Sequence, residues 1–163
     1  MTSGGDDLLL KSILTAITVI LVLTVPASGT AGADINEYIQ TPLPCETEAV
    51  VMINDIRASH GLAELEFDIM LSAAARVKVS DMVHNSYFSH TSPHYGTPFE
   101  MMRRFGITYR CAGENLARGY TGAVAVACAW MESPSHRENM LFAAYAYVGV
   151  AYEDGYWCLL FRG

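Results

Sequence analysis

At the centre of the sequence stands the stretch Arg110-Cys111-Ala112-Gly113-Glu114-Asn115-Leu116-Ala117. Its pattern predicts the end of a buried strand that carries one carboxylate, Glu114, between apolar neighbours. A carboxylate in such surroundings is costly unless another group pairs with it. Two histidines, His90 and His136, are flanked by turn signals, and an imidazole can pair with a carboxylate. We therefore expect the fold to bring His90, Glu114 and His136 to the floor of one cleft.

The start of the chain has the pattern of a secretory leader. Lys11 precedes an uncharged, almost wholly apolar run of 13 residues at 13–25, and Ala31-Gly32-Ala33 has the form of a cleavage site. As a helix this run spans only about 20 Å, whereas the hydrocarbon core of a bilayer is roughly 30 Å thick. We therefore interpret residues 1–33 as a signal peptide. The alternative is an uncleaved anchor over residues 8–25.

The rest of the chain divides into a short linker or arm at 34–46 and one domain at 47–163. Residues 34–163 hold 15 acidic and 9 basic residues, which gives a net charge of −6. Nucleic-acid binding is not expected, because attraction to phosphates needs clustered Lys and Arg. Contact with a membrane is expected only through the leader, if the leader stays uncleaved. The expected location is extracellular or in the cell envelope.

Four cysteines follow the leader: Cys45, Cys111, Cys128 and Cys158. An even number of cysteines in an exported chain predicts two disulfides, and the spacing leaves all three connectivities open. Free thiols in a helix and two strands are the alternative. Because the chain has no Cys-x-x-Cys pair, neither a thiolate zinc site nor a thioredoxin-like redox site is indicated.

Helices are predicted early in the chain and strands mostly late. This order indicates an α+β fold in layers around a small antiparallel sheet. The local signals are helix caps, capping boxes and a hairpin turn, at Asp68, Thr97 with Glu100, Ser135 with Glu138, and Asp154-Gly155. The predicted helices cover residues 47–60, 69–85, 98–106 and 121–133, with a short one around residue 136; the predicted strands cover 107–114, 147–153 and 156–162.

Two further residues are weaker candidates for the same pocket. Glu132 fits equally well as a solvated residue in the last turn of a helix, and Asn139 as a residue that ties its turn to the backbone. His94 lies in the same loop as His90 and is assigned no function. Taken singly, His90 also fits a surface position on a loop, and Glu114 fits a structural carboxylate that accepts backbone hydrogen bonds.

Three motifs taken in order are more specific than any single residue. They are Tyr87-Phe88-Ser89-His90-Thr91-Ser92-Pro93, Ala112-Gly113-Glu114-Asn115-Leu116-Ala117 and Ser133-Pro134-x-His136-Arg137-x-Asn139. This series resembles the bacterial branch of the CAP superfamily, the cysteine-rich secretory, antigen 5 and pathogenesis-related domain, also called SCP-like. The resemblance runs from about residue 47 to residue 161.

The resemblance implies a three-layer α-β-α sandwich. It also implies a cleft lined by two histidines and by acidic residues. The first cleft histidine of the family falls on His90, the acidic residue of its Gly-Glu-Asn motif on Glu114, and the histidine of the bacterial Ser-Pro-x-His-Arg motif on His136. Many animal and plant members carry a second glutamate three residues after a tryptophan. Here that position is Ser133, and Glu132 lies one residue short of it.

Two neutral imidazoles that face a small cleft can bind a divalent ion such as zinc, with water completing the shell. His90 and His136 are the expected ligands, and Glu114 would orient one imidazole or act as a base on bound water. The sequence identifies no nucleophile, since Ser89 and His90 are neighbours that need not face each other. It therefore makes no commitment to an enzyme.

The first functional hypothesis is a binding module of the extracellular or envelope space. Its partner would be an envelope polymer, a lipid or another exported protein. The two alternatives are a metal-dependent, peptidase-like hydrolase and a structural protein of an envelope or coat layer.

Overall fold

The computed structural model describes residues 34–163, so the predicted leader at 1–33 lies outside the described residues. These residues form a short 3-10 helix, five α-helices and four strands. In chain order they are the 3-10 helix Ile35–Tyr38, α1 Pro44–Ser59, β1 Glu66–Phe67, α2 Ile69–His84, α3 Pro98–Arg104, β2 Ala112–Arg118, α4 Ala123–Glu132, α5 Pro134–Met140, β3 Tyr147–Glu153 and β4 Tyr156–Arg162. Within 34–163, no helix combines the length and apolar character that a membrane span requires.

One sheet with the strand order β1-β3-β4-β2 forms the middle of the fold. Asp154 and Gly155 join β3 to β4, and their φ angles of 48° and 80° give the left-handed backbone of a primed hairpin turn. The predicted hairpin is thus confirmed. β2 pairs antiparallel with β4, whereas the two-residue β1 pairs parallel with β3. The sheet is therefore mixed, whereas the sequence predicted an antiparallel one.

Helices cover both faces of this sheet. On one face α2 and α3 pack through residues such as Leu71 and Met101. On the other face α1 and α4 pack through Ile53 and Trp130, which surround Trp157 of β4. α5 lies beside β2. The result is the three-layer α-β-α sandwich of the α+β class that the sequence predicts.

The strand that contains Glu114 differs from the prediction. It covers Ala112–Arg118 rather than residues 107–114. Pairing with the full length of β4 sets these bounds, from Ala112 opposite Arg162 to Arg118 opposite Tyr156. Glu114 therefore lies inside the strand and not at its end.

Two helix starts also differ from the prediction. α1 begins at Pro44, before the expected residue 47, because Pro44 takes its first position and the Glu46 carboxylate accepts a hydrogen bond from the amide of Leu43 at 2.8 Å. α5 begins at Pro134, so the capping box predicted at Ser135 and Glu138 is wrong. The preceding residue, Ser133, is the cap position and makes no side-chain cap bond.

The two expected disulfides do not form, since all four cysteines, each within residues 34–163, are free. Cys158 is buried on the α2 side of the sheet, whereas Cys45 and Cys111 pack against the core on the opposite side. The sheet therefore separates Cys158 from both. Cys128 is exposed on α4.

Gly149 in β3 is a point of close approach between the sheet and α2. A β-carbon there would fall on the backbone of Leu71 and Ser72, and the Ser72 hydroxyl accepts a hydrogen bond from the amide of Val150 at 2.9 Å. We expect Gly149→Ala to lower the free energy of unfolding by about 1–3 kcal/mol, because the helix must move away from the strand. Chemical denaturation measures this change.

The matched control is Gly122→Ala. Gly122 has a φ of −139° and no heavy atom within 4 Å of the added β-carbon, so its effect should stay below about 1 kcal/mol. Equal denaturation midpoints for the Gly149 variant and the unmodified protein would show that α2 does not pack this closely on β3.

Candidate functional site

Glu114 lies on β2, which is an edge strand of the sheet, and its side chain turns toward the α2 side. That side chain is only 2% exposed. Its Oε1 atom lies 2.6 Å from Nδ1 of His90, and its Oε2 atom accepts a contact from the thiol of Cys158 at 3.6 Å. Burial, followed by the neighbouring carboxylate, raises the pKa of Cys158 well above its ordinary value, so the thiol keeps the proton that it donates. Both carboxylate oxygens are therefore engaged inside the protein.

His90 lies on the loop between α2 and α3, directly over Glu114. Since the carboxylate accepts a hydrogen bond, Nδ1 carries the proton and Nε2 has the lone pair. The His90 side chain is 57% exposed, and its Nε2 atom has no partner within residues 34–163. The hydrogen bond to Glu114 raises the pKa of His90, although burial opposes that rise. Glu114 thus orients the ring and leaves Nε2 for a ligand.

A buried lysine supports this pair from below. Lys78 of α2 is fully buried, and its Nζ atom donates a hydrogen bond to the carbonyl oxygen of His90 at 3.0 Å. Burial lowers the pKa of Lys78, and the charge of Glu114 opposes this shift. The sequence contained a sign that Lys78 is buried, because this residue falls in the otherwise apolar stripe of α2 between Ala74 and Met82.

The second half of the same loop is fixed by another buried carboxylate, Asp81 of α2. It accepts hydrogen bonds from Nδ1 of His94 at 2.7 Å, from Oγ of Ser92 at 2.6 Å and from the hydroxyl of Tyr87. Burial alone would raise the pKa of Asp81, but the bonds from Ser92, Tyr87 and His94 hold it below its ordinary value. The His94 side chain is 54% exposed. His94, to which the sequence assigned no function, is therefore oriented in the same way as His90.

His136 reaches the site from the opposite layer. It lies in α5, and its carbonyl oxygen accepts a hydrogen bond from Nδ2 of Asn115 in β2 at 3.0 Å. Burial, and then the charge of His90, lower the pKa of His136. Its imidazole makes no hydrogen bond within the described part of the chain and does not touch Glu114. The structure therefore joins His90 to Glu114 directly and brings His136 near enough to feel the charge of His90.

The two weaker candidates have different positions. Asn139 donates from Nδ2 to the carbonyl oxygen of Glu114 at 3.2 Å and to Oδ1 of Asn115 at 2.9 Å, so it fastens α5 to β2. Glu132 is the exposed last residue of α4 and makes no ion pair within residues 34–163. Its carboxylate therefore supplies no second acid at Glu114.

The described residues do not offer a complete set of ligands for a resident metal ion. No group of three or more His, Cys, Asp and Glu side chains within 34–163 is placed to hold one. His90 and His136 would supply two nitrogens, whereas zinc sites usually have at least three protein ligands. Glu114 does not add a third, because both of its oxygens are engaged by His90 and Cys158.

The sequence motifs of this site and the α-β-α fold agree with a family comparison. The sequence model of the Cysteine-rich secretory protein family, CAP, matches residues 50–159, which is more than half of the chain. The protein therefore belongs to the CAP family.

Two curated relatives come from Bacillus subtilis. The chain is 44% identical over 109 residues to the uncharacterized protein YkwD and 34% identical over 112 residues to the uncharacterized membrane protein YlbC. The matches cover 67% and 69% of this chain but only 42% and 32% of those relatives. The chain thus spans less than half the length of the curated relatives that it matches.

Solved structures show the same architecture. An extracellular protein containing a SCP domain from Bacillus anthracis is 29% identical, with a TM-score of 0.72 over 81% of this chain and 44% of that chain. An outer surface protein from Borrelia burgdorferi is 23% identical, with a TM-score of 0.66 over 80% of this chain and 95% of that chain. The second likeness is one of fold alone.

The two histidines of the cleft should titrate on opposite sides of the ordinary value, about 6.5. His90 should titrate above it and His136 below it, as an NMR titration of the imidazole protons would measure. Because the pKa of His90 is raised on folding, its pairing stabilises the fold fully below about pH 6.5, and this contribution is lost as the pH rises through the folded pKa. Glu114→Gln should remove the rise at His90.

Glu132→Gln is the matched control for this titration. It removes the same charge from an exposed carboxylate that His90 does not contact, so the pKa of His90 should stay raised. A His90 titration that Glu114→Gln leaves unchanged would contradict the assigned pair.

Proposed function

We propose that this CAP domain is a binding module of the extracellular or cell-envelope space and that His90 and His136 line the surface that receives its ligand. The observation that carries the proposal is the engagement of Glu114. The Glu114 carboxylate already accepts hydrogen bonds from His90 and Cys158, so it is not free to act as a base on bound water. The Nε2 atom of His90 and the imidazole of His136, which have no hydrogen-bond partner within residues 34–163, then remain for recognition of a ligand.

The proposed location rests on two supports. Of the solved structures with this fold, one is described as an extracellular protein and another as an outer surface protein. The leader pattern at 1–33 agrees with export. An uncleaved anchor, the alternative for those residues, would hold the same module at the membrane surface.

Binding should depend on both histidines. We expect His90→Ala and His136→Ala each to weaken retention of the purified protein on an insoluble bacterial envelope fraction by about tenfold, the loss of one hydrogen bond of roughly 1.4 kcal/mol. Sedimentation at a series of protein concentrations measures the affinity. Circular dichroism of each variant checks that the fold is intact.

The matched control is His60→Ala. His60 is exposed at the end of α1, and its Nδ1 atom lies 2.8 Å from the carbonyl oxygen of Ile56, so its removal should not affect retention. Full retention of the double variant at His90 and His136 would instead favour a structural envelope or coat protein that does not use the cleft.

The competing proposal is a metal-dependent hydrolase with zinc on His90 and His136. With only two protein ligands, zinc should bind with a Kd above about 10 μM. At a free zinc concentration of about 10 μM, binding then adds less than about 0.4 kcal/mol to the free energy of unfolding. Such a gain moves the Tm by no more than about 3 °C. Differential scanning calorimetry with and without zinc measures the shift. A larger rise that His90→Ala and His136→Ala each abolish would establish the metal centre.

A further inference from the structure

The charges of the domain are segregated. Residues 77–146 hold six basic and five acidic residues, whereas 34–76 and 147–163 together hold three basic and ten acidic residues. The first segment thus has a net charge of +1 and the remainder −7. The +1 segment also contains the three histidines of the site, His90, His94 and His136. Its helices α3 and α5 both contact the edge strand β2.

Two arginines bracket the histidine loop, and each lies over an aromatic ring. The guanidinium of Arg118 lies 4.7 Å from the ring centre of Tyr156, which is in turn 6.1 Å from the ring centre of Phe88. The guanidinium of Arg104 lies 5.5 Å from the ring centre of Tyr95, at the other end of the loop. We define the arginine–histidine strip as four side chains: Arg118, His90, His94 and Arg104.

Three members of the arginine–histidine strip are held from behind by hydrogen bonds. Buried carboxylates hold the Nδ1 atoms of His90 and His94, and Arg104 donates a hydrogen bond to the carbonyl oxygen of His94 at 3.2 Å. Within residues 34–163, neither Arg104 nor Arg118 forms a salt bridge. Their remaining N–H groups are therefore available to an acceptor outside the protein.

The free groups of the strip define the chemistry of a ligand. An unpaired guanidinium binds a phosphate through two parallel hydrogen bonds. An imidazole whose Nδ1–H is bound to a carboxylate presents a lone pair at Nε2, which accepts a hydrogen bond from a hydroxyl group. Phe88, 45% exposed beside Tyr156, adds an apolar surface for a carbon chain.

We infer that the arginine–histidine strip binds a flexible polymer in which phosphodiester groups alternate with hydroxyl-bearing polyol units. The inference rests on the proposed function and adds the chemistry of its ligand. Phosphates would contact Arg104 and Arg118, and hydroxyls would contact His90 and His94. A strip one loop wide suits a single strand. A flat anionic bilayer would need a broad basic surface, which two arginines do not provide.

The test uses a synthetic glycerol phosphate oligomer as the probe and fluorescence anisotropy as the measurement. We expect the double variant Arg104→Gln, Arg118→Gln to weaken binding at least about tenfold at roughly 0.15 M salt. The slope of log affinity against log salt should fall by about two, because two phosphate contacts are lost. His94→Gln should also weaken binding, and dextran, which lacks phosphate, should not bind.

Arg110→Gln is the matched control. Arg110 is exposed just before β2, its amide bonds to Gly163 at the chain end, and its side chain contacts no member of the strip. Its variant should bind within twofold of the unmodified protein. An equal loss for Arg110→Gln and for either strip arginine would overturn the inference in favour of general charge attraction.

Two other outcomes also overturn the inference. Both distinguish a failure of the inference from a failure of the proposed function. Binding to phosphatidylglycerol vesicles that depends on Arg104 and Arg118, without binding to the oligomer, would identify a membrane surface instead. Envelope retention that depends on His90 and His136, without any binding to the oligomer, would leave the cleft as a binding site for a different ligand. If the variants at His90 and His136 are retained on the envelope fraction as well as the unmodified protein, the proposed function itself fails.

Discussion

The pair of Glu114 and His90 depends on a lysine that is buried among carboxylates. Removing an ammonium group from water carries a penalty of several kcal/mol, which only close opposite charges and hydrogen bonds offset. Lys78 meets this condition through Glu114, Asp81 and the carbonyl oxygen of His90. The same interactions fix the loop that follows α2, since Lys78 holds its backbone at His90 while Asp81 holds Ser92. An exposed loop thus acquires the rigidity of the core beneath it, and rigidity is what a binding surface needs to avoid losing affinity to ordering.

The position of the cleft at an edge strand has its own physical consequence. An unpaired edge exposes backbone groups that invite another strand. Here Asn139 of α5 occupies the carbonyl oxygen of Glu114, and Asn115 bonds back to the carbonyl oxygen of His136. Side chains from the opposite layer therefore cover the edge where the acid lies, and they carry His136 into the site as they do so. The two histidines come from different layers because the sheet ends between them.

Local chemistry accounts for what the sequence could predict. The cap at Asp68, the capping box of Thr97 with Glu100 and the hairpin turn at Asp154 depend on residues close in the chain, and all three form as predicted. The contact between His90 and Glu114 was predicted from the matching chemistry of an acid and two histidines, and the family motifs made this prediction specific. The bounds of β2 could not be predicted from nearby residues, because they follow from pairing with β4 at the far end of the chain.

The residues that the sequence did not single out share one property: their partners lie in other elements. Lys78 looks like a packing residue of α2 until Glu114, from a later strand, is placed beside it. His94 looks like any loop histidine until Asp81 is seen beneath its ring. The disulfide prediction failed for a related reason. An even number of cysteines says nothing about sheet faces, and Cys158 lies on the opposite side from Cys45 and Cys111.

The electrostatics of the cleft favour selection among ligands over simple attraction. Pairing with Glu114 raises the pKa of His90, whereas burial and the nearby His90 lower the pKa of His136. The two imidazoles of the site thus differ in proton affinity, and His90 is the more easily protonated of the two. Residues 34–76 and 147–163 together carry a net charge of −7, which disfavours general binding of an anion. Complementary charge at one place and like charge around it give specificity and register more than raw affinity. An anionic chain with hydroxyl groups would therefore be steered to the loop between Arg118 and Arg104 and held there by groups that are already oriented.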